Sequence, residues 1–238
     1  MGDFYGFETS ERAVNGREYI IVCPEKGKEN GHWALKTEYL YAFPGVELKL
    51  LDEGYHIAHV KSISRWNPPE DTDARAKLAE YMHKELGLRK RCAVIGMSCG
   101  GMQGINFAAK YPEYVSCMYL DAPVVNLLSC PAGLGSAGNG MLKEFSEHMS
   151  MGVKELLSFR GHPLDRLPLL VKSKIPVILV CGDSDTDVPY DENGIFVKEA
   201  YEKNGCIIKT IIKEGVGHHP HGLEENDVIV DFIKTYDI

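Results

Sequence analysis

Cys92-Ala93-Val94-Ile95-Gly96-Met97-Ser98-Cys99-Gly100-Gly101 is the stretch whose reading decides the fold. It opens on an unbroken apolar run, the pattern of a strand covered on both faces, and from Gly100 to Lys110 the apolar residues fall at helical spacing. Between the two lies Gly-x-Ser-x-Gly. Glycines there permit a turn too tight for Cβ atoms and lift a serine hydroxyl clear of the sheet edge. Ser98 is therefore the candidate nucleophile, against the plainer reading of a glycine-rich turn without chemistry. Cys99 stands one residue late for that role, and its side chain is expected to pack against the helix.

The same alternation of short apolar runs and helical patterns extends along the chain. Strands are predicted at Phe4–Thr9, Tyr19–Cys23, His56–Lys61, Cys92–Met97, Val115–Leu120, Val177–Cys181 and Ile207–Lys213. Helices are predicted at Thr72–Leu86, Gly100–Lys110, Glu192–Lys203 and Glu225–Tyr236. Repetition of this kind implies an α/β fold, a doubly wound and mostly parallel sheet with helices on both faces. One domain over residues 1–238 is the expectation at this length. From Val124 to Lys174 the spacing between strands is too long for a simple crossover. A small cap insertion over the strands' C-terminal edge, with a small-residue loop at Pro131–Gly140, is the natural use of it.

Composition narrows the function. A net charge of −8 with scattered Lys and Arg gives a phosphate backbone little to hold, so nucleic acid is not expected as a partner. No run of about 18 apolar residues occurs and the first residues, Met1 to Arg12, are polar, so a soluble cytoplasmic chain with no membrane partner is expected. Seven cysteines without a C-x-x-C pair read as buried free thiols. No nucleotide-binding glycine motif accompanies the first strand, and no cofactor is called for.

Two later stretches supply partners for a serine. Gly182-Asp183-Ser184-Asp185-Thr186-Asp187-Val188-Pro189 follows a strand and offers three carboxylates. Asp183-x-Asp185-x-Asp187 imitates the start of a calcium loop, but Val188 stands where that loop needs glycine and Gly194 where it needs glutamate. Gly215-Val216-Gly217-His218-His219-Pro220-His221-Gly222 lies between the last strand and the last helix. Its His-His-x-His lacks the one-face spacing of a helical zinc pair, so the expectation is a proton-transferring histidine and no metal. The order serine, aspartate, histidine suits a hydrolytic relay on this type of sheet.

Together GMSCGG, YLDAP, PVILVCGDSDTDVPY and EGVGHHPHGL resemble the α/β-hydrolase superfamily, in particular its small esterase-like and prolyl-oligopeptidase-like bacterial members. The likeness runs from the Gly96 region to the C-terminus. It implies a triad of Ser98, Asp185 and His218, with His219 as rival base and Asp121 as fallback acid. It also implies an acyl-enzyme intermediate and an oxyanion hole of two backbone amides. One amide transfers directly as Cys99. The other falls within Glu25–Trp33, named here as Lys26, because the His-Gly that many members carry is absent. Trp33 and Trp66, both expected in loops, are candidates for stacking on a sugar or aryl group. The implied substrate is a small carboxylic ester. The alternatives are a serine peptidase of the prolyl-oligopeptidase type and a binding protein that kept the fold without turnover. Oligomeric state is not addressed by any motif.

Overall fold

In the computed structural model, residues 2–138 and 140–238 are described. The N-terminal hairpin strands β1 (Gly2–Phe4), β2 (Phe7–Val14) and β3 (Arg17–Val22) are followed by β4 (Trp33–Lys36), α1 (Gly45–Asp52), β5 (His56–Val60), α2 (Pro69–Lys84) and β6 (Cys92–Met97). Then come α3 (Cys99–Lys110), β7 (Val115–Asp121), α4 (Leu142–Met149), α5 (Val153–Ser158) and α6 (Pro163–Ser173). The chain closes with β8 (Val177–Gly182), α7 (Gly194–Lys203), β9 (Ile208–Lys213) and α8 (Asp227–Tyr236).

Among the described residues nine strands form one sheet in the order β1-β2-β3-β5-β4-β6-β7-β8-β9. The first hairpins and the β3/β5 pair are antiparallel, and every pair from β5 onward is parallel. Strand residues alternate between two cores, as the period of two requires. Cys92 and Val94 of β6 and Val177 and Leu179 of β8 face one core, beneath α2, α3, α6 and α7. Ala93 and Ile95, with Ile178 and Val180, face the other, beneath α1 and α8. Both faces are covered, which is why these strands read as continuous apolar runs.

Two elements depart from the expectation. β4 is a central strand where a loop was predicted: Trp-Ala-Leu-Lys is too short to show a period, and its Lys36 is wholly buried beside Glu47 of α1. α1 is likewise not foreseen, its eight residues following Pro44. The first predicted strand is divided at Tyr5 and Gly6, both at positive φ. In the long segment after β7, α6 packs against α3 and α7 as an ordinary crossover helix. The structure thus leaves about residues 124–162 to lie over the sheet edge. A third apolar cluster sits beneath that stretch, with Trp66, Cys99, Met102, Leu127 and Phe145 among its members. The Pro131–Gly140 loop is held by Glu192, which accepts hydrogen bonds from Ser136 N–H (2.6 Å) and Ser136 Oγ–H (2.8 Å); its Asn139 lies outside the described residues.

All seven cysteines are free thiols, five of them buried. Among the described residues no helix is long and apolar enough to cross a membrane.

Candidate active site

Three loops meet at the C-terminal edge of the parallel strands, those following β6, β8 and β9. After β6, Ser98 takes φ 54° and ψ −122°, a backbone state that L-residues rarely occupy. The surrounding structure holds it there. Ser98 N–H donates to Asp121 O (2.9 Å), and Ser98 O accepts from Gly101 N–H (2.9 Å) and Val124 N–H (3.1 Å). The flanking glycines have no room for a side chain. A Cβ on Gly96 would stand 2.5 Å from Gly100 O, and one on Gly101 2.4 Å from Pro123 Cβ.

After β8 the chain turns so that Asp185 is almost fully buried. Its Oδ1 accepts from the Asp187 (2.9 Å) and Val188 (2.8 Å) amides, leaving Oδ2 for a histidine. The two later loops are sewn together: Ser184 N–H donates to Val216 O (3.1 Å), and Asp183 Oδ1 accepts from Gly215 N–H (2.8 Å). That contact places His218 with Nδ1 2.7 Å from Asp185 Oδ2 and Nε2 3.0 Å from Ser98 Oγ. Such a chain can draw the proton from the serine hydroxyl as its oxygen attacks a carbonyl, while the carboxylate fixes the ring and stabilises the imidazolium. Burial pushes the Asp185 carboxyl up, but the hydrogen bonds from His218 and Val188 outweigh it, and the group stays below the ordinary carboxylate range.

The structure brings Ser98, His218 and Asp185 together and gives their rivals other partners. Asp121 sits at the end of β7 and binds His221, whose Nδ1 lies 2.8 Å from its Oδ1; its Oδ2 accepts from Tyr119 Oη–H (2.6 Å) and the Gly222 amide (2.7 Å). It too is held below the carboxylate range, burial being overcome by the His221 contact. His219 is exposed and stacks on Phe43, with centroids 5.4 Å apart. The Cys99 thiol is buried and pushed up to about 11, which removes it as a nucleophile.

Two expected residues lie elsewhere. The loop carrying Lys26 follows β3, and because β3 runs antiparallel to β5, with Val22 opposite Ile57, it emerges at the edge opposite Ser98. Lys26 is exposed there and reaches no oxyanion. Trp33 begins β4 at that same far edge, wholly buried, with its indole N–H donating to Arg89 O (2.9 Å). It is a core residue. The segment that does approach Ser98 from the next strand is Thr37–Leu40, after β4. Thr37 Oγ–H donates to Gly100 O (2.7 Å), and a Cβ on Gly100 would stand 3.3 Å from Glu38 Cβ. Cys99 is the first residue of α3, where a backbone N–H has no intrahelical partner.

Trp66 is buried beneath α4. It packs edge-on to Phe145 (5.4 Å) and donates from Nε1 to Glu144 Oε1 (3.1 Å). Arg65 pairs with the same glutamate and holds its carboxyl below the usual range. Trp66 also walls a cavity of about 440 Å³, shared with Met102, Leu127, Met149 and Phe159.

A strained serine at a strand–helix turn, bonded to a histidine and a buried aspartate above a parallel sheet, belongs to a known architecture. Residues 2–149 match the family described as alpha/beta hydrolase fold, and the chain is a member of it. Among solved structures it resembles the acylaminoacyl peptidase of Pyrococcus horikoshii (TM-score 0.68, 16% identity, 89% of this chain and 37% of that one). It also resembles esterase 2 of Thermogutta terrifontis (TM-score 0.67, 14% identity, 99% and 94%) and Est1E of Butyrivibrio proteoclasticus (TM-score 0.67, 14% identity, 96% and 97%). The chain thus spans little more than a third of the peptidase and nearly all of each esterase. No curated protein matches the sequence.

Proposed function

We propose that the protein is a serine hydrolase of small carboxylic esters, acting through Ser98, His218 and Asp185. The observation that carries this reading is the pair of contacts at His218, 3.0 Å to Ser98 Oγ and 2.7 Å to Asp185 Oδ2. His218 takes the hydroxyl proton as Ser98 attacks the ester carbonyl, and the carbonyl oxygen becomes an oxyanion. The Cys99 amide and an amide of the Thr37–Leu40 segment are the donors for that charge, a contribution of about 3–4 kcal/mol apiece. His218 then returns its proton to the departing alcohol. Water, deprotonated by the same ring, attacks the acyl carbonyl; the Ser98 Oγ–acyl bond breaks, the acid departs, and His218 returns the proton to Ser98 Oγ. The substrate is a free small molecule with a short acyl group on a carbohydrate or aryl alcohol, met in a reducing cytoplasm that suits seven free thiols.

The near-complete coverage of two small esterases favours ester over peptide cleavage. The likeness to a peptidase keeps acyl-peptide hydrolysis as the second reading. The test sets p-nitrophenyl acetate against an acylaminoacyl p-nitroanilide, with Ser98→Ala as control. Ester turnover lost in the variant supports the reading. Turnover of the anilide alone selects the peptidase, and turnover of both substrates unchanged in Ser98→Ala would discard the site.

A further inference from the structure

His221 takes no part in the relay from Ser98, yet it is as carefully held as His218. The rings of His218, His219 and His221 form a triangle with centroid separations of 4.9, 4.9 and 5.0 Å. One ligating atom from each lies within 4.8 Å of those of the other two. His-His-x-His is not a helical metal-binding pair; the loop between β9 and α8 supplies the convergence instead.

The outer contacts are those of metal-binding histidines. His218 and His221 each present Nδ1 to a buried carboxylate, Asp185 at 2.7 Å and Asp121 at 2.8 Å, which leaves Nε2 as the outward atom. A carboxylate on the far nitrogen fixes the tautomer and strengthens the imidazole as a ligand. Nitrogen ligands at about 2.0–2.1 Å from a tetrahedral ion stand roughly 3.3 Å from one another, so no side of the triangle need contract by more than about 1.5 Å. His219, which is exposed beside a Phe43 that is itself 39% exposed, can close the two sides of the triangle that end on it, and the His218–His221 side closes only as the His218 ring swings off Ser98, whose Oγ lies 3.0 Å from its Nε2.

We propose that His218, His219 and His221 bind a borderline divalent cation, Zn²⁺, with water as fourth ligand, and that the bound ion switches the active site off. The two uses of His218 exclude each other. Its Nε2 lone pair either accepts from Ser98 or ligates the ion, so a loaded protein has no base. The binding stands on the histidine geometry alone; its effect on turnover rests on the triad reading above.

The experiment separates the two. Metal-free protein is titrated with ZnCl₂ by calorimetry and with Co²⁺ by visible absorption, while p-nitrophenyl acetate hydrolysis is followed at each Zn²⁺ concentration relative to the same variant without metal. Expected are one ion per chain, cobalt bands without thiolate charge-transfer absorption, and inhibition that tracks occupancy and is reversed by EDTA. His219→Ala and His221→Asn should each weaken binding and inhibition together by about 10–100-fold or more, the scale on which metal sites respond even to loss of an outer partner. Ser98→Ala should bind Zn²⁺ at least as tightly as the parent, whether or not the parent hydrolyses esters. Absence of binding, thiolate bands in the cobalt spectrum, or equal affinity in the parent and both histidine variants would overturn the site. Hydrolysis lost in Ser98→Ala but untouched by bound Zn²⁺ would overturn the switch.

Discussion

At the residue scale, two aspartates of similar burial divide their labour by which ring they hold. Asp185→Asn presents an amide where His218 needs a negative acceptor, so the wrong tautomer faces Ser98. The expected loss in kcat is on the order of 10⁴-fold. Asp121→Asn disturbs His221 instead and should cost far less, a difference read directly from kcat/KM of the two variants. Ser98→Ala should abolish ester turnover without altering the melting temperature, and a fluorophosphonate should add its mass to the Ser98 peptide and not to a Cys99 adduct. Acid stability follows from the same carboxyls. Both are held below the ordinary range in the fold, so as pH drops the unfolded chain takes up their protons first. Their stabilisation is complete above the unfolded carboxyl value of about 3.9 and disappears as pH falls through the lower folded values. Melting curves should therefore weaken chiefly below about pH 4, and a melting temperature that climbs on acidification would contradict the assignment.

At the scale of elements, legibility tracked how much of an element's environment is local. β6, β7 and β8 are sandwiched between helices, and their apolar runs and flanking turns place them to within a residue or so. The serine turn, the aspartate loop and the histidine loop are readable for a similar reason, since each needs glycines at fixed offsets from a strand end. β4 is not readable, because its four residues owe their strand state to neighbours on both sides that come much later in the chain, Trp33 lying opposite His56 and Ala34 opposite Ala93. The same remoteness hides what stands beside the serine turn: the segment after β4 touches Gly100, whereas Lys26 follows β3 at the opposite edge, and Trp33 is a strand residue. Trp33→Ala tests the correction. Truncating a fully buried tryptophan should cost about 3–5 kcal/mol in urea unfolding while kcat/KM per folded molecule is retained. A large loss of kcat/KM with unchanged stability would return Trp33 to the substrate.

At the scale of the whole molecule, the proposed esterase is expected to prefer short acyl groups, because the stretch lying over the sheet edge, about residues 124–162, is short for the walls of a deep acyl channel. Each buried methylene adds only about 0.8 kcal/mol, and only while space lasts, so kcat/KM for p-nitrophenyl esters should level off within the first few carbons and then fall. A maximum at long acyl chains would refute the small-pocket reading. The buried thiols have a different consequence. Cys92, Cys117 and Cys181 lie in three adjacent parallel strands, whereas Cys130 lies in the segment over the sheet edge. An alkylating reagent can reach each only when its own region opens, so the cysteines constitute a built-in clock for partial unfolding. Pulse labelling with iodoacetamide and peptide mass analysis would time it. If the covering segment can lift while the sheet stays closed, Cys130 is modified first and the three strand cysteines follow together, at the rate of global opening.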